Sequence, residues 1–134
     1  MSWRSLLFVP AAAPQRWQKA HTRGADALIV DLEDSTQPDA KAAARAQATE
    51  AVAFLAAQGA VVTVRVNNDA EYLADDLEAV VKPGLRAIVM PKVEQASELD
   101  SLSAMIDALE YEAGLERYAV GVVAVIESPR ALER

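Results

Sequence analysis

The chain has no cysteine, which excludes a disulfide framework, a thiolate metal centre and a cysteine nucleophile, and fits a reducing cytoplasm. It has one histidine, so a histidine-rich zinc site is excluded as well. Positive charge is scarce: 13 Lys and Arg stand against 20 Asp and Glu, a formal net charge of −7. Such a balance leaves no basic field for nucleic-acid phosphates. The longest apolar run, Tyr118 to Ile126, falls well short of the ~20 residues of a membrane-spanning helix. No glycine-rich phosphate fingerprint follows the first apolar stretch, which disfavours a dinucleotide-binding sheet. Arg4 followed by Leu6-Leu7-Phe8-Val9-Pro10-Ala11-Ala12-Ala13 loosely imitates a secretory signal, but the run is short, is broken by Pro10, and reads as a strand.

What is present is an apolar content of 52% in 134 residues, enough to bury a core in one domain, 1–134. Short runs rich in Val, Ile and Leu predict strands at 4–9, 26–32, 61–67, 86–90 and 120–126, each followed by a segment with helical spacing. That alternation is the mark of βα units on a parallel sheet. Leu99, Leu102, Ile106, Leu109 and Ala113 recur at helical steps, with Ser97 and Asp100 as a capping box and Gly114 as the terminator. A second helix is predicted over 38–58, opening at Pro38 and turning Val52 and Leu55 inward. A shorter one through Leu73, Leu77 and Val80 or Val81 follows the cap candidates Asn68 and Asp69 and stops at Pro83-Gly84. Strand starts lie one βαβ step apart. The expected fold is therefore α/β, of the TIM (β/α)₈ barrel family, with this chain covering roughly the first five βα units of a ~250-residue barrel.

In such folds the reacting groups gather where the strands end. Here the second strand ends Asp31-Leu32-Glu33-Asp34, the third Arg65-Val66-Asn67, the fourth Met90-Pro91-Lys92 and the fifth Ile126-Glu127-Ser128. Period-two geometry groups Asp31 with Glu33, Thr63 and Arg65 with Asn67, and Val123 and Val125 with Glu127, on sides taken to face the barrel axis. Carboxylates so close need a cation, or the Arg and Lys, as partners. An all-oxygen donor set favours a hard ion such as Mg²⁺, which is typically held by one or two carboxylates with water and substrate oxygens. Arg65 between valines is expected either to pair with Glu33 or to bind substrate, and Lys92 reads equally as a site cation or a surface lysine. Asp31, Glu33 and Asp34 taken alone would be a solvated turn before Pro38. The lone His21, on the first helix, reads as a surface or helix-end residue; Trp3 and Trp17 read as packing residues. Arg16, Lys19 and Arg23 form either a phosphate-binding or a solvated helix face.

Several segments in order carry a resemblance: Arg4-Ser5-Leu6-Leu7-Phe8-Val9-Pro10, Ala25-Asp26-Ala27-Leu28-Ile29-Val30-Asp31-Leu32-Glu33-Asp34-Ser35, Lys41-Ala42-Ala43-Ala44-Arg45, Val64-Arg65-Val66-Asn67, Pro91-Lys92 and Ile126-Glu127-Ser128. Together they resemble the citrate lyase beta-subunit-like branch of the HpcH/HpaI aldolase superfamily, over nearly the whole chain. The resemblance implies a TIM barrel that makes or breaks a carbon–carbon bond between an acyl thioester of coenzyme A and an oxo acid, with Mg²⁺. It implies Glu127 as a metal and substrate ligand, with a second metal carboxylate, an Asp, beyond Arg134. Arg65 would bind the substrate carboxylate or stabilise the enolate oxygen. Asp31, Glu33 and Asp34 would surround the metal and its waters, with Asn67 and Lys92 beside them. Phe8 and Lys19 would contact the coenzyme A moiety. Where the family usually has Gly after the first Pro, this chain has Ala11.

The expected function is thus a Mg²⁺-dependent lyase acting on a citryl-, malyl- or citramalyl-type thioester, in a cytoplasmic homo-oligomer, trimeric or hexameric by resemblance, with no nucleic-acid or membrane partner. On this reading residues 1–134 alone do not complete the site, and the general base is unassigned. One alternative is a pyruvate-type metal-dependent aldolase acting without coenzyme A. Another is a non-catalytic half-barrel that needs a partner for its remaining strands.

Overall fold

The computed structural model describes residues 3–33 and 36–127. Asp34 and Ser128 lie outside them. Five strands, β1 (Leu6–Pro10), β2 (Ala27–Asp31), β3 (Val62–Arg65), β4 (Leu85–Met90) and β5 (Gly121–Ala124), form one all-parallel sheet in sequential order. Between them run α1 (Pro14–Trp17), α2 (Lys41–Ala57), α3 (Leu73–Val80) and α4 (Ala96–Glu112). Sequential parallel order with a helical crossover at each step is an arc of a (β/α)₈ barrel, as the strand spacing predicts.

The register assigns the two faces. Val9, Val30, Val64 and Ile88 pair in a row across the sheet and join the buried core with Ala44, Ala48, Ala51, Val52 and Leu55 of α2. Those α2 positions recur at the spacing of one helical stripe, and the small alanines bring the helix close to the sheet. Leu55, Leu77, Ile88 and Leu102 are fully buried, each contributing ~1.5–3 kcal/mol of hydrophobic stabilisation. The closeness is visible at Gly84, where an added Cβ would stand 2.8 Å from the Ala56 Cβ and the backbone has φ +103°. The opposite parity puts Pro10, Asp31, Arg65, Val89 and Val123 in a second row, one residue from each strand. That row faces the barrel axis and carries the charge.

Three local expectations are corrected. The first helix is only Pro14–Trp17, and Lys19 and His21 sit in and beside a 3-10 turn, Ala20–Thr22, where the His21 ring meets Phe54 edge-on at 6.0 Å. The α4 start is capped by Glu98, whose carboxylate accepts the N–H groups of Glu94 (2.9 Å) and Gln95 (2.7 Å); Ser97 lies one residue inside the helix. Asp69 closes a turn by accepting the Glu71 N–H, and α3 begins only at Leu73. Gly114 does terminate α4: with φ +73° it allows Leu115 N–H to reach the Glu110 carbonyl and its own N–H the Tyr111 carbonyl, a Schellman closure.

Candidate active site

Arg65 ends β3 beside Asp31, which ends β2. Nε and Nη2 of the guanidinium donate to the two Asp31 carboxylate oxygens, both at 2.8 Å. This is the fork-on-fork geometry that fixes an arginine in one plane. The Phe8 ring lies over the same guanidinium, 4.6 Å from ring centroid to Cζ, a cation–π contact. Glu33 follows the strand rather than belonging to it. It is turned back by its own N–H, which donates to Asp31 Oδ1 at 3.0 Å, so its carboxylate comes within 3.6 Å of Arg65 Nε and 3.3 Å of Lys92 Nζ. Arg65 therefore pairs first with Asp31 and only second with Glu33, because a register partner on the adjacent strand is nearer than a residue reached through a turn. Lys92, though 62% exposed, joins the same cluster.

Asn67 does not. Period two holds only while the backbone is extended, and β3 ends at Arg65. The buried Asn67 side chain instead enters the helical layer: its oxygen accepts from Lys41 Nζ (2.7 Å), and its nitrogen donates to the Leu32 carbonyl (3.0 Å) and to Asp76 Oδ2 (2.7 Å). Asp76 is fully buried and takes the Asn67 N–H (3.0 Å) and Arg45 Nε (2.8 Å). Lys41 Nζ also donates to the carbonyls of Leu32 (3.0 Å) and Glu33 (3.3 Å). The Tyr72 ring lies against both Lys41 and Arg45. The Lys41 to Arg45 segment is thus a buried brace behind the acidic turn. The sequence marked this segment without giving it a task, and its one signal was two cations on an otherwise alanine-rich stripe.

The loops after β4 and β5 are tied together. Val125 N–H reaches the Met90 carbonyl (2.9 Å) and Val93 N–H the Val125 carbonyl (3.2 Å), so Glu127, exposed two residues later, leaves the sheet at the same edge as Lys92. Asn68 Nδ2 spans from the Pro91 carbonyl (2.9 Å) to Glu98 Oε1 (3.1 Å). The Asn68 amide, and then the N–H groups of Glu94 and Gln95, hold the Glu98 carboxyl below its ordinary pKa against partial burial. A second carboxylate, Glu110, is buried in α4 and accepts the N–H groups of Tyr118 (3.2 Å) and Val120 (2.8 Å), setting the entry into β5. Helical periodicity placed Leu109 and Ile106 inward but could not show that Glu110 has backbone donors waiting.

Lys19 and Phe8 line one cleft of about 500 Å³ outside β1, together with Arg16 and Arg23. Ala11 stands comfortably in the loop beside it: fully buried, without positive φ, its N–H on the Asp31 carbonyl and its carbonyl accepting the Trp17 indole N–H, both at 3.1 Å. No group of three His, Cys, Asp or Glu among the described residues is arranged to hold a metal ion. Asp31 is committed to Arg65, which among the described residues leaves Glu127 as the exposed strand-end carboxylate. That donor set suits a hard cation held by one or two carboxylates with water and substrate oxygens, rather than an all-protein cage. No helix among the described residues is long and apolar enough to cross a membrane.

Comparison with known proteins adds four findings. The family model described as HpcH/HpaI aldolase/citrate lyase matches residues 4–134. The chain is similar to citrate lyase subunit beta of Escherichia coli (strain K12), 36% identical over 132 residues that cover 98% of this chain and 44% of that protein. It is similar to (3S)-malyl-CoA thioesterase of Cereibacter sphaeroides (strain ATCC 17029 / ATH 2.4.9), 35% identical over 85% of this chain and 40% of that protein. Among solved structures, the citrate lyase beta subunit complexed with oxaloacetate and magnesium from M. tuberculosis matches with a TM-score of 0.65 at 30% identity, over 93% of this chain and 48% of that one. The chain spans less than half the length of these curated relatives.

Proposed function

We propose that this chain, which belongs to the HpcH/HpaI aldolase/citrate lyase family, supplies the arginine and strand-end carboxylates of a Mg²⁺-assisted carbon–carbon lyase site for a 3-hydroxy acyl thioester of citryl, malyl or citramalyl type. The observation that carries the reading is the Asp31–Arg65 fork under Phe8 at the carboxyl edge of the sheet. A buried ion pair contributes little net stability, because desolvation offsets the attraction. Its use is to hold a guanidinium in one plane before substrate arrives.

In the cleavage direction the substrate hydroxyl gives its proton to a base and its carbon becomes the oxo-acid carbonyl. The adjacent carbon–carbon bond breaks, and its electron pair moves onto the thioester as an enolate, which is then protonated on carbon. Arg65 opposes the negative charge that grows on the substrate. Glu127 would hold Mg²⁺, and the ion, when bound, supplies Lewis-acid polarisation of the oxo-acid oxygens. The complex of the M. tuberculosis relative with oxaloacetate and magnesium supports this assignment. Asp31 orients Arg65, while Glu33 and Lys92 set the charge beside it. Phe8 and Lys19, with Arg16 and Arg23 in the adjoining cleft, would receive the anionic nucleotide part of the thioester. The names of the citrate lyase and malyl-CoA relatives support a thioester of this class.

The test is to titrate the chain with oxaloacetate and with a malyl thioester, in Mg²⁺ and in EDTA, following amide NMR shifts. Both ligands are expected to move Arg65 and Glu127, the thioester to move Phe8 and Lys19 as well, and EDTA to abolish the oxo-acid response. Binding of the oxo acid alone would favour the pyruvate-type aldolase. Absence of any strand-end response, or one indifferent to EDTA, overturns the proposal.

A further inference from the structure

Lys41 opens α2 with its side chain buried, and its ammonium meets three oxygen acceptors: Asn67 Oδ1 at 2.7 Å, the Leu32 carbonyl at 3.0 Å and the Glu33 carbonyl at 3.3 Å. Lysine is seldom buried unless its hydrogens are so engaged, and three tetrahedral donors match three acceptors here in a way that a planar guanidinium would not. Two of the acceptors are the backbone of the turn that carries Glu33. The third, Asn67, is held from its other end by Asp76, which Arg45 holds in turn.

We infer that Lys41 is a positioning residue for the mouth. Its ammonium, entering from the helical side, fixes the Leu32 and Glu33 carbonyls and thereby the point from which the Glu33 carboxylate faces Arg65 and Lys92. A neutral side chain of equal length would leave the buried Asn67 oxygen without its donor and the Leu32 and Glu33 carbonyls with only the Asn67 amide and the Thr36 N–H, and the turn would loosen to find water. The importance of this to ligand binding rests on the proposed function, but the positioning itself is tested without any ligand, so the two fail separately.

The absence of cysteine makes the test clean. Lys41→Cys introduces a single thiol that can be alkylated in urea before refolding, with 2-bromoethylamine to restore an ammonium or with iodoacetamide to give a neutral adduct. Amide exchange at Glu33 and Thr36, whose N–H groups donate to Asp31 Oδ1 and to the Glu33 carbonyl, reads the turn; Val64 and Ile88 read the sheet. Exchange at Glu33 and Thr36 is expected to accelerate about tenfold or more in Lys41→Cys while the strand amides change by less than about threefold. The aminoethyl adduct should restore protection and the neutral adduct should not. Equal rescue by both adducts, unchanged protection, or equal loss at Val64 overturns the inference. Should the variant fail to refold, the unsubstituted protein decides. A ¹⁵N-labelled Lys41 Nζ–H₃ signal protected from solvent exchange at neutral pH is expected, and exchange at the rate of a surface lysine overturns the inference.

Discussion

Two polar clusters stand on either side of the same turn, and they use the same chemistry to opposite ends. On the axial side, Asp31, Glu33, Arg65 and Lys92 form a charged cluster that opens to solvent through the exposed Lys92 and Phe8. On the helical side, Lys41, Asn67, Asp76 and Arg45 form a hydrogen-bonded network closed under α2 and α3. The outer cluster is open to solvent on one side, whereas the inner one has backbone carbonyls and an amide as its partners. The contrast separates residues that would meet substrate from those that hold the meeting place, though motif spacing treats them alike.

The comparison is broken most forcefully at its inner member. Asp76→Ala leaves Arg45 and the Asn67 amide without their buried anion, and a loss of ~3–5 kcal/mol in urea unfolding is expected; a loss below ~1 kcal/mol would show the network to be dispensable. The outer pair should behave differently. Asp31→Val combined with Arg65→Met removes both charges together, so stability should stay within ~1–2 kcal/mol of the parent, while oxo-acid affinity in Mg²⁺ falls about 10- to 100-fold by calorimetry, the worth of a hydrogen bond to a charged group. Unchanged affinity would take Arg65 out of the site. Lys92→Ala removes an exposed partner of Glu33 and should cost no more than ~1 kcal/mol, with a weaker salt dependence of anion binding as its signature. The smallest effect concerns pH. The Glu98 carboxyl is held below its ordinary value in the folded chain, so its contribution is complete above the unfolded pKa of ~4.3 and is lost as pH falls through the lower folded value. Glu98→Gln should flatten the pH dependence of the unfolding midpoint in that acid range and leave it unchanged near neutrality.

The barrel arc was legible because its signal is long-range and redundant: five Val- and Ile-rich runs separated by helical stripes leave few other arrangements. Asp31 and Arg65 were legible for a related reason, since each closes a strand and strand parity survives to its last residue. Legibility ended where the backbone left regular structure. Asn67, two residues past β3, kept its expected parity only on paper. Glu33 reached the mouth through a turn closed by Asp31. Lys41, Arg45, Asp76 and Glu110 look in sequence like ordinary charges on helix faces, and only the fold shows that each faces a buried partner. Capping by Glu98 was missed because Ser97 offered a more familiar cap two residues too late.

Lys92 has φ 55°, on the left-handed side of conformational space, where a side chain costs ~1–2 kcal/mol that glycine would avoid. A designer ranking residue 92 by thermal tolerance alone would therefore choose glycine. The improved scaffold would lack the one ammonium that the β4 exit brings to Glu33. Position 92 is thus where selection for durability and selection for charge at the strand ends ask for different amino acids, and a library randomised there would report which of the two the living cell enforces.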